Sequence, residues 1–436
     1  MNTEELIKKA SQYYDNEDYK SALKFAEKIL RYDSQNSSAL VIKGNIFYQN
    51  HKLSDSIKCY LSAQQSDSQN KIALINIANT YFELKNYEQS YSYAQKVLEL
   101  DSTDKNALTI LGNSALELQK YDEGKLAFCK ILNLDSDDFW SYNSLSQIYQ
   151  KTQDFERALN YGWKAVELSN GAESQHINFG YLLYEIRQEK SLKFVAQYAQ
   201  KWLEKYAENS IVFHMANSVL QNKKIDRAKQ EYLQNIFDAF APDFEQVLSG
   251  LEYQAPQIIH NEIIKIYDIK PRKKLSILDA GCGTGLCGSF LHKYSKFRSL
   301  YGVDISEKML QQAQQKNIYN FLIQDDLEHY FFNTEKQFDL IVSADVFTYL
   351  GDLQKIISGC QKCLKKNGRV IFTVSANNID DSDYYLHPSG RFLHHQNYIK
   401  TLLQKHNFLI EKIEENFLRN EGENKVLGYL ISATKL

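Results

Sequence analysis

Four aspartates, Asp279, Asp304, Asp326 and Asp345, each follow a short apolar run in the second half of this 436-residue chain. The first leads into Gly281-Cys282-Gly283-Thr284-Gly285, giving D-x-G-x-G-x-G. Glycines so spaced let the backbone approach a ligand, and a carboxylate beside them suits a cationic amino-acid tail. The residues from Gly283 to Gly288 also spell G-x-G-x-x-G, with Asp304 sixteen residues after the last glycine. That is a formal dinucleotide fingerprint, which keeps a nicotinamide nucleotide (NAD) in view. Against it stand Asp279 and the pair Asp326-Leu327, an acid for an adenine amino group beside an apolar contact for its ring face. Asp304 would take ribose hydroxyls under either reading. Bonds of this charge-assisted kind contribute roughly 1.5–3 kcal/mol each.

The elements that must position these residues alternate. The run Leu275-Ser276-Ile277-Leu278-Asp279-Ala280 reads as a buried parallel strand, and the glycine turn leads into a helix through Phe290 and Leu291. Further strands are expected over 300–305, 321–323, 338–343 and 369–374, the last after a helix stopped by Asn367-Gly368. Two late strands, 409–418 and 425–434, flank the polar turn Asn420-Glu421-Gly422-Glu423. This alternation predicts an α/β Rossmann-like domain with a seven-stranded, mostly parallel sheet, its ligand at the carboxyl ends of the strands.

The first half differs. All four prolines (Pro242, Pro256, Pro271, Pro388) lie beyond residue 241, and a proline-free stretch suits uninterrupted helices. Asp33-Ser34-Gln35-Asn36 returns as Asp67-Ser68-Gln69-Asn70, Asp101-Ser102-Thr103-Asp104 and Asp135-Ser136-Asp137-Asp138, every 34 residues. Small residues keep the same period (Ala10, Gly44, Ala78, Gly112, Ser146, then Ala22, Ser56, Ser90, Gly124, Ala158). Aromatics such as Tyr19, Phe47, Tyr81, Tyr121 and Tyr149 are expected to fill the notch between the two sets. Small against large at fixed offsets lets antiparallel helices pack and stack into a solenoid, with the Asp-Ser phrases capping them. The stripe containing Trp140, Trp163 and Trp202 reads as core.

This pattern resembles the tetratricopeptide repeat over residues 3–172, in five clear repeats, with Ser where that family usually has Pro after the second helix. About two degenerate repeats follow, one over 176–209 keeping Gly180, the next from Ile211 keeping Ala216 and Ala228. The expected boundary therefore separates a repeat domain, 1–234, from a catalytic domain, 235–436. Such arrays bind proteins or peptides on a concave face.

The net charge of −3 provides no field for bulk nucleic-acid binding, and no apolar run is long enough for a membrane span. The opening residues lack an apolar signal core, and six scattered cysteines fit no disulfide framework. A cytoplasmic protein with neither nucleic-acid nor membrane partners is expected. Cys360-x-x-Cys363 lies within an amphipathic helix over 353–365 and reads as packing. Lys270-Pro271-Arg272-Lys273-Lys274 reads as a solvated linker.

The Asp-Gly-acid series looks like the S-adenosylmethionine motifs of class I methyltransferases. Further segments extend the likeness: Phe237-Asp238-Ala239-Phe240-Ala241, Leu251-Glu252-Tyr253-Gln254-Ala255-Pro256, the run from Asp345 to Leu353, Ser389-Gly390-Arg391-Phe392-Leu393-His394 and Leu418-Arg419-Asn420-Glu421. They are similar to bacterial methyltransferases preceded by tetratricopeptide repeats, themselves related to the Williams–Beuren-region methyltransferases. The resemblance implies S-adenosylmethionine as cofactor. Gly281, Cys282, Gly283 and Gly285 would lie along it, with Asp279 at its methionine end, Asp304 at the ribose and Asp326 with Leu327 at the adenine; Ile305, Met309, Asp325 and Ser343 are further expected cofactor contacts. Phe240 replaces a frequent Tyr in the segment before the fold.

Methyl transfer needs alignment and exclusion of water, with a base only where the acceptor must lose a proton. Asp345 would contact the acceptor, act as base, or cap the next helix. Arg391 would bind an acidic group, and His394 would serve as base or orienter. Three histidines near residue 390 lack the carboxylates of a metal site. The expected function is methyl transfer, with the repeats recruiting a protein substrate or partner. The alternatives are a non-catalytic scaffold that binds the cofactor and a small-molecule methyltransferase.

Overall fold

The computed structural model describes residues 2–222, 225–268, 274–422 and 424–436. It forms two compact units, 1–175 and 176–436.

In the first unit five helix pairs alternate between 13 and 14 residues, from Thr3–Asp15 with Tyr19–Tyr32 to Phe139–Lys151 with Phe155–Leu168. The small positions are contact points, but their large partners are not the expected ones. A Cβ at Gly44 would lie 2.4 Å from the Tyr60 ring, and one at Gly112 would lie 2.7 Å from Phe128. Both aromatics sit on the second helix of the same repeat and cross over the backbone of the first. Trp163 is buried and Trp202, in the second unit, is fully so, whereas Trp140 is 55% exposed and lies tilted against Phe139. Its place at the start of a helix, beside the inter-repeat turn, leaves it outside the core.

The Asp-Ser phrases divide the capping between their first and last residues. Asp33, Asp67, Asp101 and Asp135 follow the preceding helix and accept from the N–H two residues on. Asn36, Asn70, Asp104 and Asp138 cap the next helix through the N–H three residues on. Lys71 joins Asp101 and Asp104 across one repeat boundary, each at 3.0 Å, and Lys105 joins Asp135 and Asp138 across the next. Between the helices of every pair one non-glycine residue is left-handed: Glu17, His51, Lys85, Gln119 and Gln153, with φ of 56–60°.

The second unit opens with three helices, ending in Leu192–Lys205 and Ser210–Leu220, so the degenerate repeats group with the α/β fold. The helix expected around Ala228 is not formed. Arg227 instead makes a β-bridge with Leu350, and the Ala228 N–H donates to the Tyr349 carbonyl at 3.0 Å. The chain then runs through helix Gln230–Phe240 into a short helix, Phe244–Gly250.

Among the described residues the sheet has nine strands, not seven: β1 (Leu275–Ala280), β2 (Ser295–Asp304), β3 (Phe321–Gln324), β4 (Phe338–Ser343), β5 (Leu364–Ala376), β6 (Tyr384–Leu386), β7 (Phe392–His394), β8 (Phe408–Glu421) and β9 (Asn424–Lys435). The two extra strands, β6 and β7, are a hairpin inside the segment expected as a rim loop. β7 continues the sheet from the last residues of β5, while β9 pairs antiparallel with the rest of that strand. Strands β3, β2, β1, β4 and β5 are parallel neighbours in that order, so the winding reverses between β1 and β4. Apolar strands facing helices on both sides bury Leu278, Ile341, Val370 and Ile431 completely. Cys360 and Cys363 belong to the same core. Most of the basic run, residues 270–273, lies outside the described residues.

A left-handed non-glycine residue costs about 1–2 kcal/mol, partly offset in glycine by its larger unfolded-state entropy. Gln119→Gly is therefore expected to stabilise the repeat unit by ~0.5–1 kcal/mol, whereas Gly112→Ala, forced onto Phe128, should destabilise it by ~1–3 kcal/mol. Calorimetric unfolding of the full chain checks both, and a lowered transition for Gln119→Gly would contradict the backbone assignment.

Candidate functional site

The loops after β1 and β4 diverge at the reversal and open a cleft lined by residues of both loops and of the strand ends. The 281–285 turn forms one wall. Gly281 has φ +76°, and a Cβ there would lie 2.4 Å from Val346 in the loop after β4. At Gly283, φ is +52° and the nearest atom to an added Cβ is Phe244 at 3.8 Å, so a side chain would project into open space.

Asp304, at the end of β2, holds this turn. One carboxylate oxygen accepts the Gly283 N–H at 2.8 Å and the other accepts the Ser306 N–H at 3.0 Å. Burial raises its pKa, and the backbone donors oppose the rise. Asp279 is 1% exposed and accepts from the Tyr319 hydroxyl at 2.6 Å. Burial pushes its pKa up to about 7, against the pull of Tyr319. Tyr319 reaches it by lying over Gly288, where a Cβ would meet its hydroxyl oxygen at 2.3 Å. The third glycine of the apparent dinucleotide fingerprint therefore makes room for a tyrosine.

Helices before the sheet close the cleft, which Leu233, Phe237, Phe244, Leu248 and Tyr253 line. Phe240, on the same helix as Phe237, does not line it and meets Tyr181 edge-on. Two links tie this segment to the nucleotide side: Thr284 Oγ1 donates to Glu245 at 2.6 Å, and Lys316 pairs with the same carboxylate.

Of the residues expected at the cofactor, Asp279, Gly281, Cys282, Gly283, Asp304, Ile305, Met309, Asp325, Asp326 and Leu327 line the cleft. Gly285 and Ser343 do not. Ser343 is fully buried, its hydroxyl donating to the Ala280 carbonyl and tying β4 to β1. Asp325 accepts from His329 at 2.8 Å. Asp326 caps helix Leu327–Asn333 and takes a 2.7 Å ion pair from Arg227, which also pairs with Glu328.

The three residues expected to act on the acceptor separate. Asp345, left-handed at φ +57°, and Arg391 line the cleft. His394 does not: it is fully buried, its Nε2 lies 2.8 Å from the Leu350 carbonyl, and burial pulls its pKa to about 4. A neutral ring so placed pins the loop after β4 and cannot reach an acceptor as a base. Arg419 takes a place that sequence reasoning gave to no residue. It is 2% exposed and donates to Asp345 at 2.5 Å from β8, 74 residues away in sequence. Arg227 and Tyr319 were equally invisible, since no local pattern marks a side chain that crosses to another element. Among the described residues no group of three or more His, Cys, Asp or Glu could hold a metal, and no helix is long and apolar enough to cross a membrane.

Residues 278–372 match the methyltransferase domain family, and residues 73–104 and 140–170 match tetratricopeptide repeat families. Malonyl-[acyl-carrier protein] O-methyltransferase 1 of Ilyobacter polytropus is 28% identical over 180 residues, 38% of this chain and 65% of its own. Human methyltransferase-like protein 27 is 38% identical over 88 residues, 20% of this chain and 35% of its own. The chain thus spans less than two thirds of the length of these curated relatives. Magnesium protoporphyrin IX methyltransferase from Synechocystis PCC 6803, solved with bound SAH, aligns over 48% of this chain at 16% identity with a TM-score of 0.38. The protein carries tetratricopeptide repeats and a class I methyltransferase domain, whose cofactor is S-adenosylmethionine.

The Asp279 shift predicts a pH effect. Between its ordinary value of 3.8 and about 7, the cofactor-free folded state binds a proton that the unfolded state does not. This contribution to stability is complete at low pH and is lost as pH rises through about 7. Asp279→Asn should therefore gain stability relative to the parent more at pH ~8 than at pH ~5. Urea unfolding at both pH values checks this, and an equal difference at the two would refute the shift.

Proposed function

We propose that this protein is an S-adenosylmethionine-dependent methyltransferase whose repeat unit recruits a protein substrate or partner. The carrying observation is the Asp304-stapled glycine turn at the winding reversal, facing a cleft lined by acids and aromatics. The bound cofactor supplies an activated methyl group on a positively charged sulfur. Asp304 has lone pairs left after its two backbone bonds, and these would accept ribose hydroxyls. Asp279, buried and without a cationic neighbour among its hydrogen-bond partners, would meet the amino group of the methionine end. Leu327 would lie against the base. Asp326 is already engaged by Arg227, so this pair as a unit would border the adenine. Phe237, Phe244 and Tyr253 would exclude water from the reacting centre.

Apolar side chains on the repeat helices support a binding role for the first unit: Ile72 is 61% exposed and Leu126 60%. Protein recruitment is the reading such arrays favour. Because the cleft shows the Asp279, Tyr319 and Gly288 arrangement, the cofactor reading is preferred to a nicotinamide one.

Calorimetry tests the assignment. S-adenosylmethionine should bind more tightly than NAD, and Asp304→Ala should weaken it by about tenfold or more, ~1.4 kcal/mol. If a cation meets Asp279, binding near pH 6.5 should release protons, seen as a dependence of heat on buffer ionisation enthalpy, and Asp279→Asn should abolish it. Tighter NAD binding would overturn the reading. Labelled cofactor with cell extract separates enzyme from scaffold: absence of labelled product in every extract would favour the scaffold.

A further inference from the structure

Beyond the nucleotide side, a chain of charge runs back from the cleft wall, with Arg419 buried and Arg391 and Glu421 about a quarter exposed. Arg419 donates to Asp345 Oδ2 at 2.5 Å and lies 3.8 Å from Glu421, which Arg391 meets at 3.1 Å. Two guanidiniums and two carboxylates balance. Balance in charge is not balance in hydrogen bonds, because the Nε of Arg391, the Nε of Arg419 and Asp345 Oδ1 are buried without a partner. Unmade bonds of this kind cost about 1–3 kcal/mol each, more for charged groups, so a site retaining them is built for a group it does not itself supply.

Proton chemistry narrows what that group is. No lysine or histidine lines the cleft among the described residues. The Cys282 and Cys287 thiols are pushed up by burial and stay protonated at neutral pH. Asp345 is in reach, but its Oδ2 is already engaged by the Arg419 guanidinium at 2.5 Å. Asp279 is committed to Tyr319 on the nucleotide side. An acceptor that must shed a proton finds no strong base here; one that arrives as an anion needs none.

We propose that the methyl acceptor is a carboxylic acid, bound as its anion by the free Nε–H donors of Arg391 and Arg419. This rests on the methyl-transfer reading and names the substrate class of the same site. One carboxylate oxygen stays on the guanidiniums, away from Asp345. The other attacks the methyl carbon, an O–C bond forms, and the C–S electron pair remains on sulfur as a neutral thioether. No proton is taken up or released. The anion and the sulfonium cancel, so the loaded cleft stays neutral, and the neutral ester that forms no longer pairs with the arginines.

The test uses the full chain, methyl-labelled S-adenosylmethionine and a panel of aliphatic and aromatic carboxylic acids, each beside its primary amide, together with a set of phenols and amines. Label that becomes volatile as methanol after mild alkali is expected from acids alone. Calorimetry should show the best of these acids binding the cofactor-free protein. Arg391→Gln should weaken that binding and raise the KM for the acid by about tenfold, leaving cofactor affinity within about twofold. Glu421→Gln alongside Arg391→Gln keeps the site neutral and should show the same loss. Alkali-stable label on phenols or amines would overturn the carboxylate assignment while leaving methyl transfer standing. Cofactor binding with no volatile label from any acid would overturn it too, as would an unchanged KM in Arg391→Gln. Failure to bind cofactor would instead bring down the reading beneath it.

Discussion

A carboxylate held between two backbone N–H groups is the constraint on which the cleft depends. Asp304 closes β2 and reaches sideways to Gly283 and forward to Ser306, so the end of one strand fixes the turn after its neighbour. That turn adopts left-handed geometry at Gly281 and Gly283, and the staple adds a side-chain restraint to its backbone bonds with Val303. Burial, which raises the acid's pKa, makes the bond strong in place and leaves the carboxylate needing further donors. A bound sugar could supply them.

The acceptor side follows a different logic. Asp345 sits in a strained backbone position at the end of β4 and is anchored by an arginine from the penultimate strand. Strain of this type persists only where its surroundings over-determine it. Arg419 and the Thr373 hydroxyl, which accepts the Asp345 N–H at 2.9 Å, provide that restraint. His394, buried behind the loop, and the Arg227–Leu350 bridge hold the same loop from two other sides. The helices expected as late repeats brace the segment that carries Arg391: His214 on helix Ser210–Leu220 lies 2.7 Å from the carbonyl of Gly390, the residue before Arg391. Repeat-like sequence has been taken into the α/β unit.

What could be read in advance was what repeats or alternates locally. The 34-residue period, the strand-end acids and the glycine turn are patterns within a few residues of one another, and helix pairs and parallel strands follow from them because backbone geometry is local. Ser343 and His394 show the limit of that reasoning. Both are polar residues at strand ends, where ligand groups gather, yet the Ser343 hydroxyl and the His394 Nε2 are each taken by a carbonyl inside the fold. Which way such a side chain turns depends on the neighbour it meets. The large partners of Gly44 and Gly112 were misjudged for the same reason, since the crossing of two helices decides which ring lies over the gap.

By itself, then, the amino-acid order determined a helical repeat array followed by a doubly wound sheet, with acids and a flexible turn at the strand ends. Only tertiary structure decided that the sheet would gain the β6–β7 hairpin, that Tyr319 would cover Asp279, and that Arg419 would reach Asp345 across 74 residues. Those contacts join residues with no periodic relation along the chain. They exist because packing the core brings the ends of distant strands together, and the charges left there must find partners or remain ready for a ligand.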